Sequence, residues 1–95
     1  MECKTLIYSG HALRRMFERN ISPAGVRATV VDNEIIETYP HGIPHPSMLV
    51  LGFIDGQPLH IVLGYNDTAL ECYVITAYRP DPGQWNANFN TRRTV

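Results

Sequence analysis

Apolar side chains follow a helical period early in the chain. They recur at spacings of three and four after Ser9, and the charged side chains lie between them. A step of about 100° per residue makes this pattern typical of an amphipathic helix. Ser9 is a suitable N-cap, so we predict a first helix over 10–20 in which Leu13, Met16 and Phe17 are buried.

A second helix follows almost directly. Ser22 is a suitable N-cap and Pro23 would occupy the first helical position, where a missing backbone N–H costs nothing. The pattern predicts a helix over 22–32. A short apolar stretch before the first helix, residues 4–8, predicts a brief strand.

After Asn33 the hydrophobic period changes from a helical one to an alternating or continuous one, which is typical of strands. Asp55-Gly56 is a strong hairpin signal between two of these segments. The predicted strands are 34–39, 48–54, 57–65 and 70–78.

This order of elements predicts an α+β fold. Two N-terminal helices would pack on one face of an antiparallel sheet of three or four strands. Residues 40–46 hold three prolines and a glycine and are expected to be irregular. We predict one domain over 1–85, followed by a polar C-terminal tail over 86–95, with Trp85 and Phe89 as anchors.

Composition is consistent with one globular domain. The chain has 95 residues, of which 44% are hydrophobic and 18% are charged. It has no apolar run of about 20 residues and does not open with a signal peptide, so we expect no membrane association and a cytoplasmic location. Cys3 and Cys72 lie far apart without a CxxC spacing, and we predict that both are reduced.

The net charge is −1, but the positive and negative charges lie in different parts of the sequence. Residues 1–30 contain five basic and two acidic side chains, a net charge of +3, whereas residues 31–81 contain one basic and seven acidic side chains, a net charge of −6. Arg92 and Arg93 add two positive charges near the C-terminus. A polyanion would be attracted to the first helix and the tail rather than to the body.

The first helix carries one candidate set of chemical groups. His11 lies in its first turn, where the helix dipole and nearby Arg15 favour the neutral imidazole, which can accept a proton. Arg15 and Arg19 lie on the same polar edge and could bind a phosphate. The alternative is an ordinary solvated helix edge, on which Arg14 and Glu18 would form an ion pair.

A second candidate set lies in the last two strands. His60 interrupts an apolar strand and needs a polar partner there, either as a half-buried structural histidine or as a second acid–base group. Simple alternation places Tyr78 on the same face as Cys72 and Val74, and Arg79 ends that strand. The hairpin register, which the sequence leaves open, decides whether His60 faces Tyr78.

We expect no metal and no cofactor. His41 and His45 flank the proline-rich loop, but prolines prevent a helix there and no Cys, Asp or Glu completes a ligand set. The preferred interpretation is either a rigid surface loop or a loop that contacts a substrate.

Several segments together resemble the domain-of-unknown-function family 4258. They are His11 with Arg15, the run from Arg19 to Ser22, the proline-rich loop, Leu59-His60 and the strand end from Thr76 to Tyr78. The resemblance covers roughly residues 9–85. It implies a fold similar to the small RelE-like and barnase-like ribonuclease toxins, whose genes often lie beside an antitoxin gene.

These observations lead to three competing hypotheses, of which the third is a role in binding a small molecule or a metal. In the first, the chain is a metal-independent endoribonuclease of a toxin–antitoxin system that acts on single-stranded RNA, with His11, His60 and Tyr78 as catalytic groups. Arg15, Arg19 and Arg79 would then bind the substrate. In the second, the same fold is catalytically inactive and binds a protein partner through the polar edge of the first helix and the proline-rich loop.

Overall fold

A computed structural model describes residues 2–93 and shows an α+β protein with two helices and a five-stranded mixed sheet. Each predicted element is present, with bounds within two residues of the prediction. In chain order the elements are β1 Thr5–Tyr8, α1 Gly10–Glu18, α2 Pro23–Val31, β2 Glu34–Tyr39, β3 Ser47–Ile54, β4 Gln57–Asn66 and β5 Glu71–Tyr78.

The sheet has the strand order β1-β5-β4-β3-β2. Strands β2 to β5 form an antiparallel meander, as predicted, whereas β1 pairs with β5 in parallel at one edge. The prediction of a purely antiparallel sheet of three or four strands is therefore wrong. Hydrophobic period identifies a strand but does not record its partner, and β1 meets β5 only because two helices carry the chain to the other edge.

Both helices begin as the sequence predicts. The hydroxyl of Ser9 accepts a hydrogen bond from the backbone N–H of Ala12, and that of Ser22 accepts one from Gly25. Pro23 occupies the first turn of α2. Helix α1 ends at Glu18 with Arg19 as its C-cap, and Asn20 after it adopts a positive φ of 56°, a conformation that asparagine tolerates better than most residues. Each helix start thus satisfies a backbone donor that would otherwise lack a partner.

Both helices pack on one face of the sheet, where the main hydrophobic core lies. Its buried members are Ala12, Met16, Ile21, Val26, Val50, Leu59, Ile61, Leu63, Val74 and Ala77. We call this the helix face. Gly52 of β3 allows close approach of α2 here, because a Cβ on it would come within 2.5 Å of the Thr29 side chain.

The prediction that Leu13, Met16 and Phe17 are all buried is right only for Met16. Met16 is 1% exposed, whereas Leu13 is 43% exposed and Phe17 is 83% exposed. A nine-residue helix that rests on a sheet buries only the strip that faces the strands. The remaining apolar strip of α1 faces solvent beside the start of α2.

A smaller apolar cluster lies on the opposite face, which we call the tail face. Leu49, Leu51 and Trp85 are buried there together with His60. Residues 80–93, which we call the tail segment, fold back over this face and form an isolated antiparallel bridge between Trp85 and Arg92. The tail segment is therefore part of the packed structure up to residue 93, and residues 94–95 lie outside the described residues.

The prediction of two reduced cysteines is wrong, because Cys3 and Cys72 form a disulfide. It joins the residues just before β1 to β5, and the parallel pairing of Leu6 with Cys72 brings the two segments together. Sequence separation alone gave no sign of this proximity, which depends on the position of β1 at the sheet edge.

Within residues 2–93, neither helix has the length and apolar character needed to cross a bilayer.

Candidate active site

The register of the last hairpin answers the question that the sequence leaves open. His60 of β4 pairs directly with Tyr78 of β5. A bulge between Val74 and Thr76 breaks the alternation of β5, so Val74 and Ala77 lie in the core of the helix face while Tyr78 lies beside His60 on the tail face. The expectation that Tyr78 shares a face with Val74 is therefore wrong, because one extra residue reverses the side-chain direction.

His60 is completely buried and both of its ring nitrogens have partners. Nε2 lies 2.8 Å from the carbonyl oxygen of Phe89, and Nδ1 lies 3.3 Å from the hydroxyl of Tyr78. A carbonyl can only accept, so Nε2 carries the proton and Nδ1 accepts from Tyr78. The indole ring of Trp85 meets the imidazole edge-on, with 4.4 Å between the ring centres.

Burial sets the protonation of this pair. Desolvation lowers the pKa of His60, although its hydrogen bond to Phe89 acts in the other direction. Burial likewise raises the pKa of Tyr78. At neutral pH the pair is therefore a neutral imidazole and a protonated phenol.

Three more side chains that reach solvent are linked to this pair through Trp85, which contacts both His60 and Arg92. Glu37 of β2 accepts a hydrogen bond from the hydroxyl of Tyr39 and forms a salt bridge of 3.4 Å with Nε of Arg92. The Arg92 guanidinium also lies over the Trp85 ring, 4.5 Å from its centre. The side chains of Arg92 and Glu37 are 57% and 32% exposed, so a ligand can reach both.

Glu37 reaches this position because β2 contains a bulge. The register of β2 against β3 shifts between Ile35 and Glu37, and Glu37 consequently pairs with Leu49, whose side chain lies on the tail face. Its hydrogen bond raises the pKa of Tyr39, so that hydroxyl stays protonated as well. The cluster of Glu37, Tyr39, Tyr78 and Arg92, with His60 behind it, is what we call the tail-face site.

Three of the five residues of this site, Glu37, Tyr39 and Arg92, are not among the predicted site residues. Glu37 is an ordinary acidic position in a strand, and its bulge has no local signature. In the sequence, Arg92 is one of two positive charges near the C-terminus. The predicted anchors Trp85 and Phe89 are the available signs that the tail packs against the sheet, where Trp85 is buried and Phe89 is half-buried.

The structure does not bring His11 together with His60. His11 is exposed in the first turn of α1, on the helix face. His60 lies between Leu59 and Ile61, which belong to the core of the helix face, so His60 projects through the opposite face and the sheet separates the two rings. Arg15 is also exposed on α1 and pairs with Glu18 at 3.5 Å, so the predicted pairing of Glu18 with Arg14 is wrong.

Arg19 and Arg79 both donate hydrogen bonds to backbone carbonyl oxygens. The Arg19 guanidinium donates to the carbonyl oxygen of Ala77 at 2.9 Å, at the edge of β5 that lies beyond its pairing with β1. Arg79 donates to the carbonyl oxygens of Arg19 and Asn20 at 2.6 and 3.1 Å. Together these bonds fasten the end of α1 to the end of β5.

No three His, Cys, Asp or Glu side chains within residues 2–93 cluster in a way that could hold a metal ion. His41 and His45 lie in the irregular loop between β2 and β3. The ring of His45 stacks on that of Tyr73, with 5.7 Å between ring centres, which gives it a packing contact in this loop.

The tail-face site combines a carboxylate, a guanidinium and two protonated phenols. A carboxylate can accept a proton, a guanidinium can pair with phosphate oxygens, and a phenol can donate a hydrogen bond or a proton. The set can therefore support proton transfer beside a phosphate without a metal ion. The neutral imidazole of His60 fixes the direction of the Tyr78 hydroxyl.

Comparison with known proteins gives one match. A family model described as domain of unknown function (DUF4258) matches residues 8–79, which span β1 to β5 and include His60 and Tyr78 but not Arg92. No curated protein and no solved structure matches the chain.

Proposed function

We propose that this chain, which belongs to the DUF4258 family, is a metal-independent endoribonuclease that acts on single-stranded RNA at the tail-face site. The observation that carries the proposal is the partly exposed ion pair of Glu37 with Arg92, whose two charges both act on the pKa of nearby Tyr78. A likeness to the RelE-like and barnase-like ribonucleases, and a place in a toxin–antitoxin pair with a small antitoxin partner, belong to the same proposal.

The proposed reaction uses the 2′-hydroxyl of the RNA as nucleophile. Glu37 accepts its proton, and the oxygen attacks the adjacent phosphorus to form a 2′,3′-cyclic phosphate. The Arg92 guanidinium stabilises the negative charge that develops on the non-bridging oxygens. Tyr78, which stays protonated at neutral pH, turns its hydroxyl away from Nδ1 of His60 and donates its single proton to the departing 5′-oxygen. Exchange with water afterwards returns the proton gained by Glu37 and restores the one lost by Tyr78.

His60 acts behind this surface. Because it is fully buried, it does not touch the RNA, and its Nδ1 instead holds the Tyr78 hydroxyl in place. It is a positioning residue in the proposed reaction. The tail segment supplies both Arg92 and the Phe89 carbonyl that fixes the tautomer of His60.

The roles predicted for four residues change accordingly. His11 and Arg15 lie on the helix face, away from the tail-face site. Arg19 and Arg79 are engaged with backbone carbonyls, and we assign them to stability rather than to substrate binding.

The test is cleavage of labelled single-stranded RNA in EDTA at low salt. We expect a 2′,3′-cyclic phosphate product from the wild-type protein. Glu37→Gln should lower the rate by about a hundredfold or more, because general base catalysis contributes on this order. Tyr78→Phe, which removes only a hydroxyl, should also slow the reaction. Intact RNA with folded wild-type protein in excess contradicts the proposal.

Glu34→Gln is the matched control. Glu34 lies on the same strand and accepts a hydrogen bond from Asn90, which a glutamine oxygen can also accept. This variant should cleave at the wild-type rate. The assay is run with the Cys3–Cys72 disulfide formed and reduced, since the proposal places the action in the cytoplasm, where thiols are kept reduced.

A further inference from the structure

An exposed apolar surface lies on the helix side, away from the tail-face site. Leu13 and Phe17 lie one turn apart on α1, and Ile21 and Pro23 continue the same surface onto the start of α2. Together they line a groove with a volume of about 450 Å³. We call it the α1 groove.

Phe17 is not part of the hydrophobic core. It is 83% exposed, and a large aromatic ring in water gains nothing for the fold. Leu13, one turn earlier, is 43% exposed. Two such side chains in one strip, beside further apolar lining, form a continuous patch rather than scattered exposed residues.

The helical layer that carries the α1 groove has a net positive charge. Residues 9–31, which hold both helices, contain four arginines and one glutamate, a net charge of +3. Arg14 follows Leu13 and lies one turn before Phe17, so it flanks the groove. Within residues 2–93, Arg14 makes no ion pair, and its charge is available to a partner.

We infer that the α1 groove binds an acidic amphipathic helix of another protein. Leu13 and Phe17 lie four residues apart on α1 and form an apolar ridge, which is the kind of surface against which the apolar side of a second helix packs. The apolar side of that helix would pack against Leu13 and Phe17, and its acidic side would face Arg14.

Charge argues against a second copy of this chain as the occupant. A copy docked through the same surface would bring its own helical layer, with the same charge of +3, against the first. Like charges oppose association, whereas an acidic helix is attracted. This inference does not depend on RNA cleavage, because no residue of the tail-face site lines the groove.

The probe is a displayed library of helical peptides in which acidic and basic residues are equally frequent at the polar positions. We expect the selected binders to be net negative, with large apolar residues at positions i, i+3 or i+4, and i+7. Phe17→Ala should weaken their binding about tenfold or more, as removal of a buried anchor does. Arg14→Glu should also weaken it, and added salt should weaken wild-type binding.

Phe53→Ala is the matched control. Phe53 is 57% exposed on β3, outside the α1 groove, so its loss should leave peptide affinity unchanged. Because Phe17 contributes little to the fold, Phe17→Ala should remain folded. Binders that are net basic, or that bind Phe17→Ala as well as the wild type, overturn the inference. So does self-association that Phe17→Ala abolishes, which would identify a second copy as the occupant.

The proposal of RNA cleavage and the proposal of peptide binding can each be contradicted without affecting the other. Phe17→Ala should cleave RNA at the wild-type rate, and Glu37→Gln should bind the selected peptides normally. Loss of peptide binding with intact cleavage therefore concerns the α1 groove alone.

Discussion

At the scale of single residues, the candidate site residues are of two kinds. Some form hydrogen bonds with backbone carbonyl groups, and others form hydrogen bonds with another side chain. Arg19 and Arg79 belong to the first kind, since each binds carbonyl oxygens of the segment that carries the other. His60 and Tyr78 belong to the second. A charged or aromatic side chain in a sequence motif can therefore have either a structural or a functional role. Only its partners in the folded protein show which role it has.

His60 should make stability depend on pH. In the unfolded chain a histidine titrates with a pKa of about 6.5, whereas burial lowers the pKa of His60 in the folded protein. The unfolded state therefore binds more protons as the pH falls below that value, and the free energy of unfolding decreases. The stabilising contribution is fully present above about pH 6.5 and is lost on acidification towards the folded pKa.

Urea denaturation at pH 7.5 and pH 5.5 measures this effect, and His60→Gln should reduce the difference between the two. If that variant does not fold, an NMR titration of the wild-type His60 ring should give a midpoint below that of a free histidine. A midpoint at or above the free value would show that the ring is not desolvated as the structure indicates.

At the scale of elements, α1 carries two neighbouring apolar residues with opposite roles. Met16 is 1% exposed and Phe17 is 83% exposed. We expect Met16→Ala to lower the free energy of unfolding by about 2–5 kcal/mol, because it leaves a cavity in the core. Phe17→Ala should change it by less than about 0.5 kcal/mol, as exposed substitutions do. Urea denaturation of both variants makes the comparison, and equal losses would contradict the placement of α1.

At the scale of the whole molecule, the Cys3–Cys72 disulfide closes most of the chain into one loop. The two cysteines are separated by 69 positions. In the chain-entropy account, a crosslink over a loop of this length stabilises the folded state by about 4 kcal/mol. Cys3→Ser with Cys72→Ser should lower the free energy of unfolding by an amount of this order, measured without reductant.

The matched measurement is the wild-type protein with and without reductant. Reduction should lower its denaturation midpoint, and the double variant should not respond to reductant. A wild-type midpoint that reductant leaves unchanged would mean that the two thiols are not joined in solution.

The sequence by itself determined which segments are helices and strands, and where α1 and α2 begin. Hydrophobic period and capping are local, because they depend on side chains a few positions apart, and so they can be read along the chain. The meander of β2 to β5 was also predictable, since its strands are consecutive and β3 to β5 are joined by short turns. The family was also recognisable from the sequence, and its model matches residues 8–79.

Only the tertiary structure decided which groups meet. The bulges in β2 and β5 each turn a side chain to the other face, and a single extra residue has no periodic signature. The parallel pairing of β1 with β5, the disulfide it permits and the return of the tail segment over His60 all join positions far apart in the chain. Glu37 and Arg92 meet for this reason, whereas His11 and His60 are separated by the sheet, because distance along a sequence does not determine distance in space.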